Sequence, residues 1–96
     1  MLILNYIEAV DLKSKNEVER ARLLCYYHFK ERDETAFSIT KISDLMQQCG
    51  FSKPNPSRLK DHLIKGKNKS FLNSKNEKGK LEFIPAVFQN LNKELC

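Results

Sequence analysis

The chain has 96 residues, of which 41% are hydrophobic and 30% are charged, so we expect one small domain with a single modest core. No apolar run approaches the roughly 20 residues that a membrane-spanning helix needs. The first residues lack the basic segment, the long apolar stretch and the cleavage site of a signal peptide. These features argue against a membrane protein and predict a cytoplasmic one.

The three cysteines are Cys25, Cys49 and Cys96, and no two of them form a CxxC pair. An odd, scattered set argues against a disulfide framework and against a zinc site. Cys25 and Cys49 fall on the apolar stripes of predicted helices, so we interpret both as small buried hydrophobic residues. We expect the terminal Cys96 to be exposed, and we expect neither a metal nor another cofactor.

The net charge of +5 is concentrated in one third of the chain. Residues 53–80 hold nine basic and two acidic residues and carry +7, whereas residues 1–52 and residues 81–96 carry −1 each. Such a basic segment is typical of a surface that faces a polyanion. A solvated, solubilising surface has the same composition, so charge alone leaves both interpretations open.

Apolar spacing predicts two helices in the first third of the chain. Residues 1–12 place apolar side chains three and four apart, which suits a short amphipathic helix. We interpret residues 11–16 as a polar linker. The clearest helix begins at Glu17, with Asn16 as its N-cap, and ends near residues 30–32.

Residues 36–39 alternate polar and apolar side chains and predict a very short strand. Thr40 is a plausible N-cap for the next helix, whose core face consists of Ile42, Leu45, Met46 and Cys49. Gly50 suits the left-handed position that closes a helix.

A third helix is predicted over residues 56–65. Asn55 is a suitable N-cap, and Pro56 occupies the first helical position, where its missing N–H costs nothing. Leu59 and Leu63 then face the core, and Gly66 ends the helix.

The remaining pattern predicts a hairpin and a last helix. Residues 70–72 and 80–83 are expected to be strands, joined by a basic tip in which Gly79 adopts a positive φ. A final helix over residues 84–95 follows. Its apolar side chains are Val87, Phe88, Leu91 and Leu95.

This order of elements resembles the winged helix-turn-helix domain of bacterial DNA-binding regulators, over residues 17–83. Residues 39–51 (ITKISDLMQQCGF) look like the first helix and turn of that motif, and residues 53–63 (KPNPSRLKDHL) look like its recognition helix. Residues 75–80 (KNEKGK) look like the tip of the wing. The resemblance implies a mainly α fold, in which a three-helix core (17–66) is followed by a wing (70–83) in a two- or three-stranded antiparallel sheet. Further helices flank this unit at residues 1–12 and 84–95.

The resemblance also implies how double-stranded DNA would be bound. The helix of residues 56–65 would enter the major groove, and the basic wing of residues 73–80 would lie on the phosphate backbone. The implied DNA-binding residues are Lys53, Asn55, Ser57, Arg58, Lys60, Asp61, Lys65, Lys67, Lys69, Lys75, Lys78 and Lys80. We expect a transcriptional regulator or an accessory DNA-binding module, which could serve plasmid, phage, transposition or defence machinery.

Within this set, Arg58 is the best candidate for a base contact because its planar fork can grip guanine, although a phosphate contact is equally consistent with its position. Asn55 and Ser57 can donate or accept at a phosphate or a base. Asp61 lies on the outward face, where it would repel phosphate, accept from a cytosine amine, or pair with Arg58 or Lys65.

Catalysis finds little support in the sequence. It has no glycine-rich phosphate loop, no HExxH and no GxSxG motif. His28 and His62 fall on separate predicted helices, on or beside core-facing stripes, and we interpret His28 as a packed structural histidine. A nucleophile and base formed by Cys25 and His28 would lack a third, orienting group. We therefore expect no enzyme.

Three other questions stay open. A protein-interaction module within a larger assembly or a longer protein is the main alternative to DNA binding, because fold does not determine function. RNA binding is less favoured, because Phe51, Phe71 and Phe83 fit core positions and are not expected to stack on bases. The apolar residues of segments 1–12 and 84–95 would form a homodimer contact or simply cap the core.

Overall fold

The structure is a computed structural model that describes residues 2–66 and 69–95. Within these residues the chain is mainly helical, with a small three-stranded antiparallel sheet. The α-helices are α1 (Ile3–Ala9), α2 (Glu17–Arg32), α3 (Ile39–Gln48), α4 (Pro56–Ile64) and α5 (Pro85–Leu95), and the strands are β1 (Phe37–Ser38), β2 (Phe71–Asn73) and β3 (Lys80–Phe83). The predicted order of elements is confirmed, with boundaries that differ by a few residues. No helix among the described residues is long and apolar enough to cross a membrane.

Helix α2 is the centre of the fold. The predicted N-cap is confirmed, since the side chain of Asn16 accepts a hydrogen bond of 2.9 Å from the backbone N–H of Glu19. Glu17 and Glu19 lie in the first turn, where their negative charge interacts favourably with the positive end of the helix dipole. Seven residues of α2 are buried, and the helix ends at Arg32, followed by the C-cap Asp33 with a φ of 54°.

Helix α3 starts earlier than its sequence pattern predicts. Ser38 has an extended backbone, and its side chain accepts a hydrogen bond from the N–H of Lys41. The prediction that Thr40 is the N-cap is therefore wrong, because Ser38, two residues earlier, already accepts the hydrogen bond from the first turn of the helix. The closing role of Gly50 is confirmed by its φ of 90°.

Helix α4 agrees closely with its prediction. The Oδ1 atom of Asn55 accepts a hydrogen bond of 3.1 Å from the N–H of Arg58, and Pro56 occupies the first turn. Leu59 and Leu63 are fully buried. The helix ends at Ile64, one residue before the predicted end, because Lys65 already has an extended backbone.

The sheet has the order β1-β3-β2, so β3 lies in the middle and pairs antiparallel with both neighbours. Phe37 pairs with Leu81, and Phe71 pairs with Phe83. All four side chains point into the core. The hairpin between β2 and β3 uses Gly79 with a φ of 82°, as predicted.

Aromatic rings join the sheet to α2 and α5. The rings of Phe71 and Phe83 stack with centroids 4.5 Å apart, and those of Phe29 and Phe88 lie 4.4 Å apart. Aromatic rings at these separations attract each other, which adds to the stabilisation that comes from burying their apolar surface. These contacts place α5 against α2 and the sheet, and leave the outer side of α4 and the hairpin tip uncovered.

Helix α1 is shorter than predicted, and the linker after it is not simply polar. Leu12 is fully buried in a short 3-10 turn (Leu12–Ser14), which corrects the interpretation of residues 11–16. Tyr6 is buried too, and its hydroxyl donates a hydrogen bond of 2.7 Å to the carbonyl oxygen of Leu23. These two side chains attach the N-terminal segment to α2.

Three side chains lie at or outside the edge of the core. His62, predicted on or beside a core-facing stripe, lies on the flank of α4 beside Leu59 and Leu63 and is exposed. Phe51 is only partly buried, and the guanidinium of Arg20 covers its ring at 4.2 Å. Cys25 is fully buried as predicted, whereas Cys49 is only partly buried because it already belongs to the C-cap of α3.

Candidate nucleic-acid interface

Helix α4 presents a polar face to solvent. Ser57, Arg58 and Asp61 are exposed opposite the two buried leucines, as the helical period predicts, and Lys60 is partly buried at the flank. Lys65, directly after the end of the helix, is exposed as well. Asp61 lies near the middle of this face, 3.4 Å from the Nζ atom of Lys65. Of the roles considered for Asp61, the structure therefore contains the ion pair with Lys65. Both side chains of this pair are exposed.

Arg58 is turned toward the start of α2. Its Nη2 atom lies 3.2 Å from Oε2 of Glu17, and 58% of the Arg58 side chain is exposed. Exposed pairs of this kind typically contribute about 0 to 1 kcal/mol. The guanidinium can therefore exchange Glu17 for a phosphate or a guanine at small cost, but a ligand must compete for it.

Asn55 is less versatile than its residue type indicates. Its Oδ1 atom is engaged by the N–H of Arg58, so only its amide NH₂ remains to make a contact. Bidentate recognition of adenine needs both the oxygen and the nitrogen of the amide. Asn55 is consequently suited to donate to a phosphate, and not to read a base while it caps α4.

Several of the predicted phosphate contacts already have acidic partners. Lys53 lies 3.0 Å from Asp44, and Lys80 lies 3.2 Å from Glu77. Among the predicted contacts, the lysines without an ion pair in the described part of the chain are Lys60, Lys69, Lys75 and Lys78. Lys67, also predicted as a contact, lies outside the described residues.

The hairpin tip is held by hydrogen bonds at Ser74 and is exposed to solvent over residues 75–79. The hydroxyl of Ser74 accepts hydrogen bonds from the backbone N–H groups of Asn76 and Glu77, which fixes the turn. Lys75 and Lys78 then project from an exposed segment. Their ammonium groups are available to an anion without the loss of an existing pair.

A cleft of about 640 Å³ lies on the other flank of α4. It is bounded by the first turns of α2, the end of α4, the start of the segment that leads to β2, and the first turn of α5. Lys65 and Lys69 line this cleft. The predicted contact set therefore divides between the outward face of α4, the hairpin tip and a concave surface that the sequence did not indicate.

Sequence reasoning missed three charged residues that shape these surfaces. Glu17 holds Arg58, Arg22 lines the cleft, and Glu34 connects α2 to α3. Glu17 and Arg22 read as ordinary polar positions on α2, and Glu34 lies in a predicted turn. Their roles depend on which elements pack together, so no local pattern marks them.

Glu34 joins His28 to Lys41 at the edge of the core. Its carboxylate accepts a hydrogen bond from Nζ of Lys41, and Nδ1 of His28 lies 3.4 Å from it, long for a hydrogen bond. Partial burial raises the pKa of Glu34, but the hydrogen bond and charge of Lys41 outweigh this and keep that pKa below its ordinary value. Burial lowers the pKa of His28, partly opposed by Glu34.

The Cys25 thiol lies in the core beside this cluster. Its burial is complete, and burial raises the pKa of the thiol far above its ordinary value, so the thiol stays protonated. A protonated, inaccessible thiol is not a nucleophile. Within residues 2–66 and 69–95, the acidic, histidine and cysteine side chains also form no group of three that could hold a metal ion.

The segments considered for a dimer contact mostly serve the core of the same chain. Tyr6 and Leu91 are buried, and Ile3, Ile7, Val10 and Phe88 pack partly buried against that core. Among the described residues of these segments, the large apolar side chains that are exposed are Leu2, Leu4 and Leu95. The homodimer stays a prediction, and these three leucines are the side chains available to it.

Comparisons with protein-family models, with curated proteins and with solved structures found no match for this chain. The interpretation of its surfaces therefore rests on its own residues and geometry.

Proposed function

We propose that the chain is a DNA-binding domain of the winged helix-turn-helix type, which acts as a transcriptional regulator or as an accessory DNA-binding module. The observation that carries the proposal is the exposed hairpin tip after α4, on which Lys75 and Lys78 have no acidic partner in the described part of the chain. In this arrangement α4 is the recognition helix and the β2–β3 hairpin is the wing.

The dimensions and chemistry of α4 support the first half of the proposal. An α-helix with its side chains is about 10 to 12 Å in diameter, which suits a major groove about 12 Å wide. The exposed Ser57 and Arg58 lie in the first turn of α4, where residues of a recognition helix reach base edges. Arg58 would leave the carboxylate of Glu17 for a guanine or a phosphate.

The hairpin supports the second half. Lysine is a point charge on a long stem, suited to phosphates and poor at discriminating bases. Lys75 and Lys78 would bind the backbone directly, whereas Lys80 and Lys53 would first exchange a carboxylate for a phosphate. Neutralisation of about five phosphates predicts a slope of log affinity against log salt near −4 to −5.

The experiment is a titration of the protein into a fluorescent random-sequence duplex at about 50 and 200 mM salt, a range over which phosphate contacts weaken strongly. We compare the wild-type chain with Arg58→Ala and with the triple variant Lys75→Ala, Lys78→Ala, Lys80→Ala. A matched control replaces three exposed lysines away from the proposed interface with alanine: Lys13, Lys30 and Lys93.

We expect steep salt dependence, weaker binding in both interface variants, and a smaller loss in the control. If the two triple variants lose the same affinity for duplex, the loss comes from net charge and not from the position of the hairpin lysines. A slope near zero, or no binding at the lower salt, would contradict the proposal.

A protein-interaction module is the second candidate, and the exposed leucines of the N-terminal segment favour it. The side chains of Leu2 and Leu4 are 74% and 73% exposed, and Leu72 on the hairpin is 47% exposed. If DNA binding fails, sedimentation of the wild-type chain and of Leu4→Glu tests self-association through α1. Concentration-dependent association that Leu4→Glu abolishes would support a dimer, and a monomer at all concentrations would exclude this contact.

A further inference from the structure

The cleft beside α4 has the size of a small-molecule site and is not explained by the proposed DNA contacts. Its volume of about 640 Å³ lies within the roughly 300 to 1,000 Å³ of ligand pockets. Two of its lining residues, Arg22 and His62, belong to neither the recognition face of α4 nor the hairpin. It is a separate concave surface at the junction of α2, α4 and α5.

The charged side chains around the cleft favour an anion. Arg22, Lys65 and Lys69 are three cations that line the cleft, and Glu19 is the single carboxylate among the described residues that line the same space. Lys69 has no ion pair in the described part of the chain, and Lys65 lies 3.4 Å from the exposed Asp61. Three cations therefore line one cleft with little internal neutralisation.

Arg22 provides an independent observation. Its Nε atom is buried and has no hydrogen-bond partner among the described residues, although Glu19 and Glu94 lie on the walls of grooves that Arg22 also lines. A buried charged donor without an acceptor is costly, and it is normally satisfied by a partner. The Arg22 guanidinium therefore has at least one N–H donor for which residues 2–66 and 69–95 supply no acceptor.

The other walls indicate more than a bare ion. Val18 and Val87 supply apolar surface, and His62 also lines the cleft. The carboxylate of Glu19, three residues before Arg22 on the same face of α2, would repel an inorganic anion, but it is a good acceptor for the hydroxyl groups of a sugar. Cations, one carboxylate acceptor and apolar surface around one cleft suit an organic phosphate that carries hydroxyls.

We propose that this cleft binds a small phosphorylated sugar or nucleotide, with its phosphate on Arg22 and Lys69 and its hydroxyl groups toward Glu19. Arginine binds phosphate through two parallel N–H donors, which gives geometric preference over a single point charge. The site does not depend on the proposed DNA-binding function. Because Lys65 and Lys69 also belong to the proposed DNA contacts, a bound ligand would compete with duplex for them.

The test titrates ribose 5-phosphate and adenosine monophosphate into the full chain, and follows amide chemical shifts at constant ionic strength. Adenosine and inorganic phosphate are the matched probes that lack, respectively, the phosphate and the sugar. We expect saturable shifts at Val18, Arg22, Lys69 and Val87 with both organic phosphates, and much weaker binding of adenosine and of inorganic phosphate.

The variants are Arg22→Gln and Lys69→Gln, with Lys75→Gln as a control that removes the same charge at the hairpin tip. We expect Arg22→Gln to raise the Kd for ribose 5-phosphate about tenfold or more, and Lys75→Gln to change it less than about twofold. Circular dichroism confirms that each variant is folded. Since Lys69 is exposed, Lys69→Gln keeps the test valid if Arg22→Gln fails to fold.

Three results would overturn the proposal: no saturable binding of either organic phosphate, equal loss in the control and the cleft variants, or inorganic phosphate binding as tightly as ribose 5-phosphate. A duplex titration separates the two functions. If Arg22→Gln weakens duplex binding as much as ribose 5-phosphate binding, the cleft is a contact for the DNA backbone and the proposal fails. If the wild-type chain binds ribose 5-phosphate and no duplex, this inference stands while the proposed function falls.

Discussion

Helices α2 and α4 begin in the same way and have opposite places in the molecule. Each follows an asparagine whose side chain accepts a hydrogen bond from the N–H three residues later. Helix α2 then buries seven of its sixteen residues, whereas α4 buries only Leu59 and Leu63. Identical capping chemistry thus starts a core helix in one case and a surface helix in the other.

The positions of the packing contacts around each helix explain the difference. Tyr6 ties α1 to α2, the Glu34 carboxylate links the end of α2 to α3, and Phe88 packs α5 against α2. Helix α4 has its leucines in the core and its polar side toward solvent. We therefore expect substitutions around α2 to act on stability, and substitutions on the outer face of α4 to act on binding.

The largest expected effect is the removal of a buried side chain of α2. Leu24 is fully buried, so Leu24→Ala leaves a cavity and should lower the free energy of unfolding by about 2 to 5 kcal/mol. Ser57→Ala on the exposed face of α4 is the control, and it should change stability by less than about 0.5 kcal/mol. Urea denaturation measures both, and equal effects would remove the contrast between the helices.

The next effect concerns the link from α2 to α3. Glu34→Gln weakens a charged hydrogen bond to Lys41, and should cost about 1 to 3 kcal/mol at neutral pH. Because the folded-state pKa of Glu34 is lowered, its stabilising contribution is present above the ordinary value of 4.5 and is lost as pH falls through the folded-state value. The difference between Glu34→Gln and wild type in urea denaturation should therefore shrink on acidification.

His28 adds to the acid sensitivity in the same direction. Since burial lowers its folded-state pKa, the unfolded chain takes up a proton first as pH falls below 6.5, and stability decreases there. A His28→Gln variant should flatten the stability profile between about pH 7 and 5, while the loss that depends on Glu34 persists below it. A profile unchanged by His28→Gln would contradict this assignment.

Loss of the α4 cap should have a smaller effect. Asn55→Ala removes the acceptor for the N–H of Arg58, and should cost about 0.5 to 2 kcal/mol in urea denaturation. Asn55→Asp retains an acceptor, so it should preserve stability while its negative charge weakens duplex binding. If both variants lose the same stability, the cap does not stabilise α4.

The smallest expected effect is that of the pair between the two helices. A double-mutant cycle on Glu17 and Arg58 should give a coupling free energy of about 0 to 1 kcal/mol, because both groups are partly exposed. Glu17→Gln should nevertheless strengthen duplex binding, since it releases Arg58 and removes a negative charge. Weaker duplex binding in Glu17→Gln would show that the pair positions Arg58, and would contradict its role as a competitor.

Local signals predicted much of this fold correctly. Asn16 and Asn55 cap helices, and Gly50 and Gly79 adopt positive φ, because each depends on a few neighbouring residues. The errors have a different origin. Thr40 has the right chemistry for an N-cap, but Ser38 is the residue that accepts the hydrogen bond from the first turn of α3. Ser38 belongs to β1, whose pairing with β3 keeps its backbone extended, as an N-cap requires.

The candidate site was predictable in its composition and not in its geometry. The basic excess of residues 53–80 and the outward face of α4 follow from charge counting and the helical period. The pairing of Arg58 with Glu17, 41 positions apart, does not. Lys65 and Lys69 line a cleft with Arg22, whereas the hairpin lysines do not. This arrangement likewise depends on how α2, α4 and α5 pack.

The sequence by itself determined the order of helices and strands and, at Asn16, Asn55, Gly50 and Gly79, where a helix or turn begins or ends, because capping, glycine conformation and apolar periodicity act within a few residues. It also determined where the positive charge is concentrated along the chain. Only the tertiary structure decided which charges are neutralised, which side chain closes the N-terminal segment onto α2, and where a concave surface forms. Those outcomes depend on side chains brought together from distant positions, and their interactions exist only once the helices are packed.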